Sequence, residues 1–197
     1  AIHVSAHADV PVVVSIKPLH SLVSGVLEGV GTPSLIVQGA SSPHTYSLTP
    51  TQAKTLQRAK LIFWVGHELE AFLEKPISTL GAGAKQIELL EAHGLTMHEM
   101  REGGSFEEHA HEHEASHKHT ESHDHDHGKK DKHGHGSHAK KHADEIDVHL
   151  WLDPINAKAI VHEVAEALSE FDPKNAGTYA KNEKLLSDRL DALITEV

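Results

Sequence analysis

The chain of 197 residues contains no cysteine, which excludes a disulfide framework, Cys-based zinc fingers and thiol catalysis while leaving the cellular compartment open. No stretch approaches the ~18 consecutive apolar residues of a membrane-spanning helix, so no direct membrane insertion is expected. Positive charge is also scarce. With 18 Lys and Arg against 29 Asp and Glu, the formal charge is −11 with histidine neutral, and that balance argues against nucleic acid or an anionic membrane surface as partner. The usual catalytic signatures are missing as well: no HExxH helix, no GxSxG elbow and no phosphate-cradling glycine loop, Gly81-Ala-Gly83 being too short to count. A catalytic zinc wants three protein ligands and a nearby base. Only two good ligands are visible, so no enzyme is expected.

Histidine, by contrast, is abundant, with 21 copies. Most of them fall in a low-complexity tract at about 105–144, as His109, His111, His113, His117, His119, His123, His125, His127, His133, His135, His138 and His142. The tract cannot bury enough apolar area to offset the entropy of ordering, so it reads as a disordered insertion. Imidazoles spaced one residue apart can form many two- and three-nitrogen sites, which favours weak, exchangeable metal collection. A pH-responsive spacer and a plain soluble linker stay open. Imidazole does not select zinc, since copper and nickel should bind such a tract at least as well.

Outside the tract, about 160 residues suffice for one well-cored α/β domain. Pro11 to Ile16 is a continuous β-branched run, as in a strand covered on both faces. Leu19, Leu22, Val23, Val26, Leu27 and Val30 then recur at helical spacing. Ser34–Gln38 reads as a second strand, followed by a loop to Leu48 and a helix launched by Thr49-Pro50-Thr51-Gln52, a capping box with proline at the first helical position. Leu61–Val65 is a third strand, residues 68–80 a helix, and Lys85–Leu90 a fourth strand. Strands alternating with helices in this way imply a parallel sheet with helices on both faces.

After the tract, Val148, Leu150 and Leu152 alternate with His149 and Trp151, predicting a strand that buries the first set. Asp153-Pro154 then caps a helix to about Phe171. Asp172-Pro173 starts another that runs to Val197, about 37 Å if fully helical. Its apolar stripe is still running at Val197, which predicts the first lobe of a larger protein plus part of a connecting helix, the partner lobe being absent. At the other end, Ala6-His7-Ala8 has the form of a cleavage site, and residues 1–9 read as a processing remnant or a disordered terminus. The lobe itself is expected over 10–172 and the linking helix over 173–197.

Ligands of open α/β sheets sit beyond the carboxyl ends of the strands. His44 lies in the loop leaving the second strand and His149 at the junction into a helix, which makes them the two candidate metal ligands. His67 shares the edge but opens a helix, where an exposed role is the plainer reading. His20 and His162 fall among helical residues, and Asp153 and Asp172 serve as caps.

The stretches Ser15-Ile-Lys-Pro-Leu-His-Ser-Leu-Val23, Ser41-Ser-Pro-His-Thr-Tyr-Ser-Leu48, Phe63-Trp-Val-Gly66 with Leu69-Glu70, Arg101-Glu-Gly-Gly104, His149-Leu-Trp-Leu-Asp-Pro-Ile-Asn-Ala157 and Asp172-Pro-Lys-Asn-Ala176 together resemble the periplasmic zinc-binding proteins of ABC importers, the ZnuA type. The resemblance implies high-affinity capture of Zn2+ in the periplasm by a monomer, and delivery to an ABC-type membrane permease. It implies that His44 and His149 are first-lobe ligands and that the long helix joins two lobes. The position before His44, acidic in some relatives, is Pro43 here. The competing expectations are a periplasmic zinc buffer or metallochaperone acting through the tract, and a manganese-type relative.

Overall fold

The computed structural model describes residues 8–99 and 146–196. Four parallel strands, β1 (Ala8–Val14), β2 (Gly31–Leu35), β3 (Leu61–Trp64) and β4 (Lys85–Glu88), lie in the order β2-β1-β3-β4. Helices α1 (Lys17–Val26), α2 (Pro50–Arg58) and α3 (His67–Thr79) alternate with them, followed by α4 (Pro154–Phe171) and α5 (Ala176–Glu196). Val12, Val13 and Val14 of β1 and all four residues of β3 are buried, as the continuous apolar runs require when both faces of a sheet are covered. The doubly covered parallel sheet expected from the sequence is therefore present.

Two boundaries differ from the pattern reading. β2 begins at Gly31 rather than Ser34, and contains Pro33. A proline cannot donate to a ladder, but β2 is an edge strand, where that loss is tolerated. Ladder-type bonds continue past its end, from Ile36 N–H to Val14 O at 2.9 Å and from Val37 N–H to Ser15 O at 2.8 Å. β1 begins at Ala8, two residues inside the stretch read as preceding the lobe.

The larger correction concerns residues 147–152. They form no strand: His149 precedes a 3₁₀ turn over Leu150–Leu152, and Leu152, expected inside, is 73% exposed. The cause is local. Asp147 Oδ1 accepts the His149 backbone N–H at 3.0 Å, an Asx-type bond that competes with a ladder, and Asp153 then caps α4 by accepting the Ile155 N–H at 2.8 Å. Alternation survives only at Leu150, which is buried.

Contacts divide the chain into one unit of residues 1–98 and 147–197, and a second of residues 99–146. In the second, Glu99 and Ile146 form an antiparallel bridge. The tract histidines from His109 to His142 lie outside the described residues.

In the first unit, α5 packs on α1 and α4. A Cβ on Gly25 would meet Leu186 Cδ1 at 2.8 Å, so the glycine permits the close approach of α1 and α5. Asn182 is buried and donates to Val26 O and Glu28 O, both at 2.9 Å, satisfying carbonyls at the end of α1. Tyr179 is 1% exposed, and its hydroxyl donates to Asp172 Oδ2 at 3.0 Å. Burial first, and then the hydrogen bond to Asp172 and its charge, push the Tyr179 pKa up. Tyr179→Phe removes that bond while keeping the ring, and should lower unfolding stability by about 1 kcal/mol in urea titration. An unchanged midpoint would mean that the bond contributes nothing net.

Candidate metal centre

His44 occupies a 3₁₀ turn over Pro43–Thr45 in the long connection after β2. Ser42 Oγ accepts the His44 N–H at 3.3 Å, and the next aromatic, Tyr46, meets Phe72 of α3 edge-to-face at 5.3 Å between centroids. Gln52, the buried member of the capping box, donates to Tyr46 Oη at 2.7 Å and to Ile36 O at 2.6 Å. The loop carrying His44 is thus tied to α2, α3 and the end of the β2 ladder.

His149 is placed differently. Its ring lies edge-on to Trp151 at 5.5 Å, and Asp147 Oδ1 lies 2.8 Å from its Nδ1. Burial would raise the Asp147 pKa, but hydrogen bonds from the His149 amide and imidazole outweigh it and hold the carboxyl below its usual range. Asp147 is fixed in turn, its N–H donating to His98 O at 2.8 Å. The His98 imidazole Nε2 lies 3.1 Å from Asp153 Oδ2. Just before His98, the backbone of Thr96 is held by buried Asn156, which accepts the Thr96 N–H at 2.7 Å and donates to Thr96 O at 2.9 Å. The first turn of α4 therefore holds residues 96–98, and through them Asp147 and His149.

The two candidate imidazoles, 105 positions apart in the chain, come together with ring centroids 6.0 Å apart and planes at 56°. Two imidazoles sharing one tetrahedral zinc at Zn–N about 2.0 Å would have centroids roughly 5 Å apart. The observed centroid spacing is about 1 Å longer than that. Among the described residues, no group of three or more His, Cys, Asp or Glu side chains could hold a metal ion. What the geometry shows is two imidazoles brought within reach of each other.

His67 is not part of this pair. Its Nδ1 engages Glu74 Oε2 at 2.9 Å along α3, and the side chain is 59% exposed. His20 Nε2 lies 3.0 Å from Pro33 O, and His162 Nδ1 lies 2.7 Å from Glu183 Oε1. Both tie their helices to neighbouring elements.

Pattern reading missed Asp147, Asn156 and above all Glu70. Glu70 is fully buried at the start of α3, where the backbone departs from helical geometry (φ −124°, ψ 46°). Its Oε2 accepts the N–H groups of Val65 at 2.7 Å and Gly66 at 3.3 Å, fixing the turn out of β3. Glu70 Oε1 and Ser15 Oγ are both buried without a hydrogen bond of ordinary geometry among the described residues. Burial is the main cause that pushes the Glu70 pKa up to about 7, with Ser15 and the two backbone amides only partly opposing it. A glutamate four residues after a strand-ending glycine was the available signal.

The fold is that of one lobe of the periplasmic metal-binding proteins. A manganese-bound periplasmic metal-binding protein from Candidatus Liberibacter asiaticus superposes with a TM-score of 0.64 at 21% identity, over 92% of this chain and 53% of that one. A solved ZnuA structure gives a TM-score of 0.68 at 22% identity, over 96% of this chain and 57% of that one. At the level of sequence the match is narrower. The family model described as "Zinc-uptake complex component A periplasmic" matches residues 12–197, and the high-affinity zinc uptake system protein ZnuA of Brucella abortus is 56% identical over 188 residues, 94% of this chain. The chain belongs to this ZnuA family of periplasmic zinc-uptake components, and spans 56% of the length of that Brucella relative. No described helix is long and apolar enough to cross a membrane.

Proposed function

We propose that this chain captures zinc in the periplasm, with His44 and His149 as ligands, and passes it to an ABC-type import permease. The observation that carries this reading is the convergence of those two imidazoles, their centroids 6.0 Å apart at the carboxyl-end side of a parallel sheet. The names of the family and of its Brucella member, a high-affinity zinc uptake protein, supply the cargo. The role is non-catalytic: the ion is bound and released without chemical change. With two fixed nitrogens the site is weak on its own, since closed zinc sites normally use four ligands.

The test is a calorimetric zinc titration of a variant in which residues 99–146 are replaced by a short linker, which keeps tract imidazoles from masking the pair. One site of micromolar or weaker affinity is expected. His44→Ala or His149→Ala should each weaken it tenfold or more. A site that survives both substitutions together would overturn the reading, and so would a nanomolar one. If zinc handling by the whole chain stays intact in the double variant, the buffer reading acting through the tract takes its place.

A further inference from the structure

We infer that Asp147 is a positioning residue which presents the Nε2 lone pair of His149 to the incoming ion. The inference rests on the zinc reading above and deepens it. Asp147 Oδ1 accepts two hydrogen bonds from the same residue, His149 N–H at 3.0 Å and His149 Nδ1 at 2.8 Å. A carboxylate can only accept, so the proton of the neutral imidazole sits on Nδ1 and the lone pair on Nε2. The tautomer is chosen before any ion arrives. The doubled contact also sets ring orientation, because the backbone bond places the carboxylate and the ring bond aims the imidazole from it. Trp151 closes a second side of the ring at 5.5 Å.

The placement has its own support. Asp147 N–H is bound to His98 O at 2.8 Å, His98 is paired with Asp153, and Asn156 pins Thr96 through both its donor and its acceptor. The carboxylate is therefore referenced to the first turn of α4 rather than to a free loop. Metal-bound histidines generally hand their second ring nitrogen to such a partner, and losing that partner costs about 10- to 100-fold in metal affinity. His44 has a different support, the turn built on Ser42 and Pro43, so the two ligands can be perturbed separately.

The experiment uses the whole chain labelled with 15N-histidine, with the His149 ring signals identified by their absence in His149→Gln. Long-range 1H–15N spectra without metal should show His149 protonated on Nδ1. Asp147→Ala should convert this to a mixture with the Nε2-protonated form, and should raise the zinc concentration that half-shifts the His149 signals by tenfold or more. Asp147→Asn, whose amide oxygen can still accept, should recover much of both effects, which a mere loss of turn stability would not produce. An unchanged His149 tautomer in Asp147→Ala, or an unchanged zinc midpoint, would overturn the inference. If zinc leaves His149 undisturbed even in the unsubstituted chain, the zinc reading itself fails, a result distinct from either of these.

Discussion

Glu70→Gln is expected to make the protein more stable than the parent at pH 8 and to leave it nearly equal at pH 5. Burial raises the Glu70 pKa from 4.5 to about 7, so the folded state holds this proton more tightly than the unfolded chain does. The resulting stabilisation is complete below the unfolded value of 4.5 and is lost as pH rises through about 7. That is the opposite direction from Asp147 and Asp153, whose carboxyls are held below their usual range although burial opposes it. A tenfold difference in proton affinity between the folded and unfolded states is worth about 1.4 kcal/mol, so the stability difference between Glu70→Gln and the parent should grow by about 2–3 kcal/mol between pH 5 and pH 8. Glutamine can still accept the Val65 and Gly66 amides and offers its NH2 toward the Ser15 side. Glu70→Ala cannot, and leaves two buried N–H groups without an acceptor at a cost of about 1–3 kcal/mol each, so it should be destabilised at every pH. Urea unfolding of the three proteins across this range decides the matter. Parallel pH profiles for the parent and Glu70→Gln would show that the carboxyl ionises normally.

Gly66→Ala should lower stability by about 3 kcal/mol, and should disturb His44 without touching it. Gly66 has φ +154° and ψ 176°, a region open essentially to glycine alone, where a side chain costs about 1–3 kcal/mol in strain. A Cβ there would also meet Glu88 Oε1 and Leu90 Cδ1 at 2.7 Å. Both are side-chain ends that can yield in part, so the backbone strain is the larger cost. The turn it would distort is the one held by Glu70, at the start of the helix whose Phe72 supports Tyr46 beside His44. Thermal unfolding should show the loss, and the His44 ring signals should shift. A midpoint within about 1 °C of the parent would mean that the turn can adopt another geometry at little cost.

The strands and helices were legible where apolar spacing had a single interpretation. Val12–Val14 and Leu61–Trp64 are buried on both faces, and the caps at Thr49 and Asp153 are formed as their neighbouring residues imply. The approach of His44 to His149 was legible because both residues fall on connections expected at the carboxyl edge of the sheet. The segment before α4 was not, because alternation from Val148 to Leu152 imitates a strand, whereas the deciding contact is a carboxylate two residues from the backbone amide it binds. Such local bonds leave no periodic trace. Glu70 was hidden for a related reason. A lone acid in an amphipathic helix reads as solvated, and only the sheet packed around it turns it into a buried acceptor.

Residues 98 and 147 meet through a backbone hydrogen bond, the Asp147 N–H donating to His98 O at 2.8 Å. Residues 98 and 147 are thus held side by side, so the chain leaves and re-enters the first unit at adjacent points. For the engineer, a linker that replaces residues 99–146 has only a short gap to bridge, and can keep the contact that seats Asp147 two residues before the ring of His149.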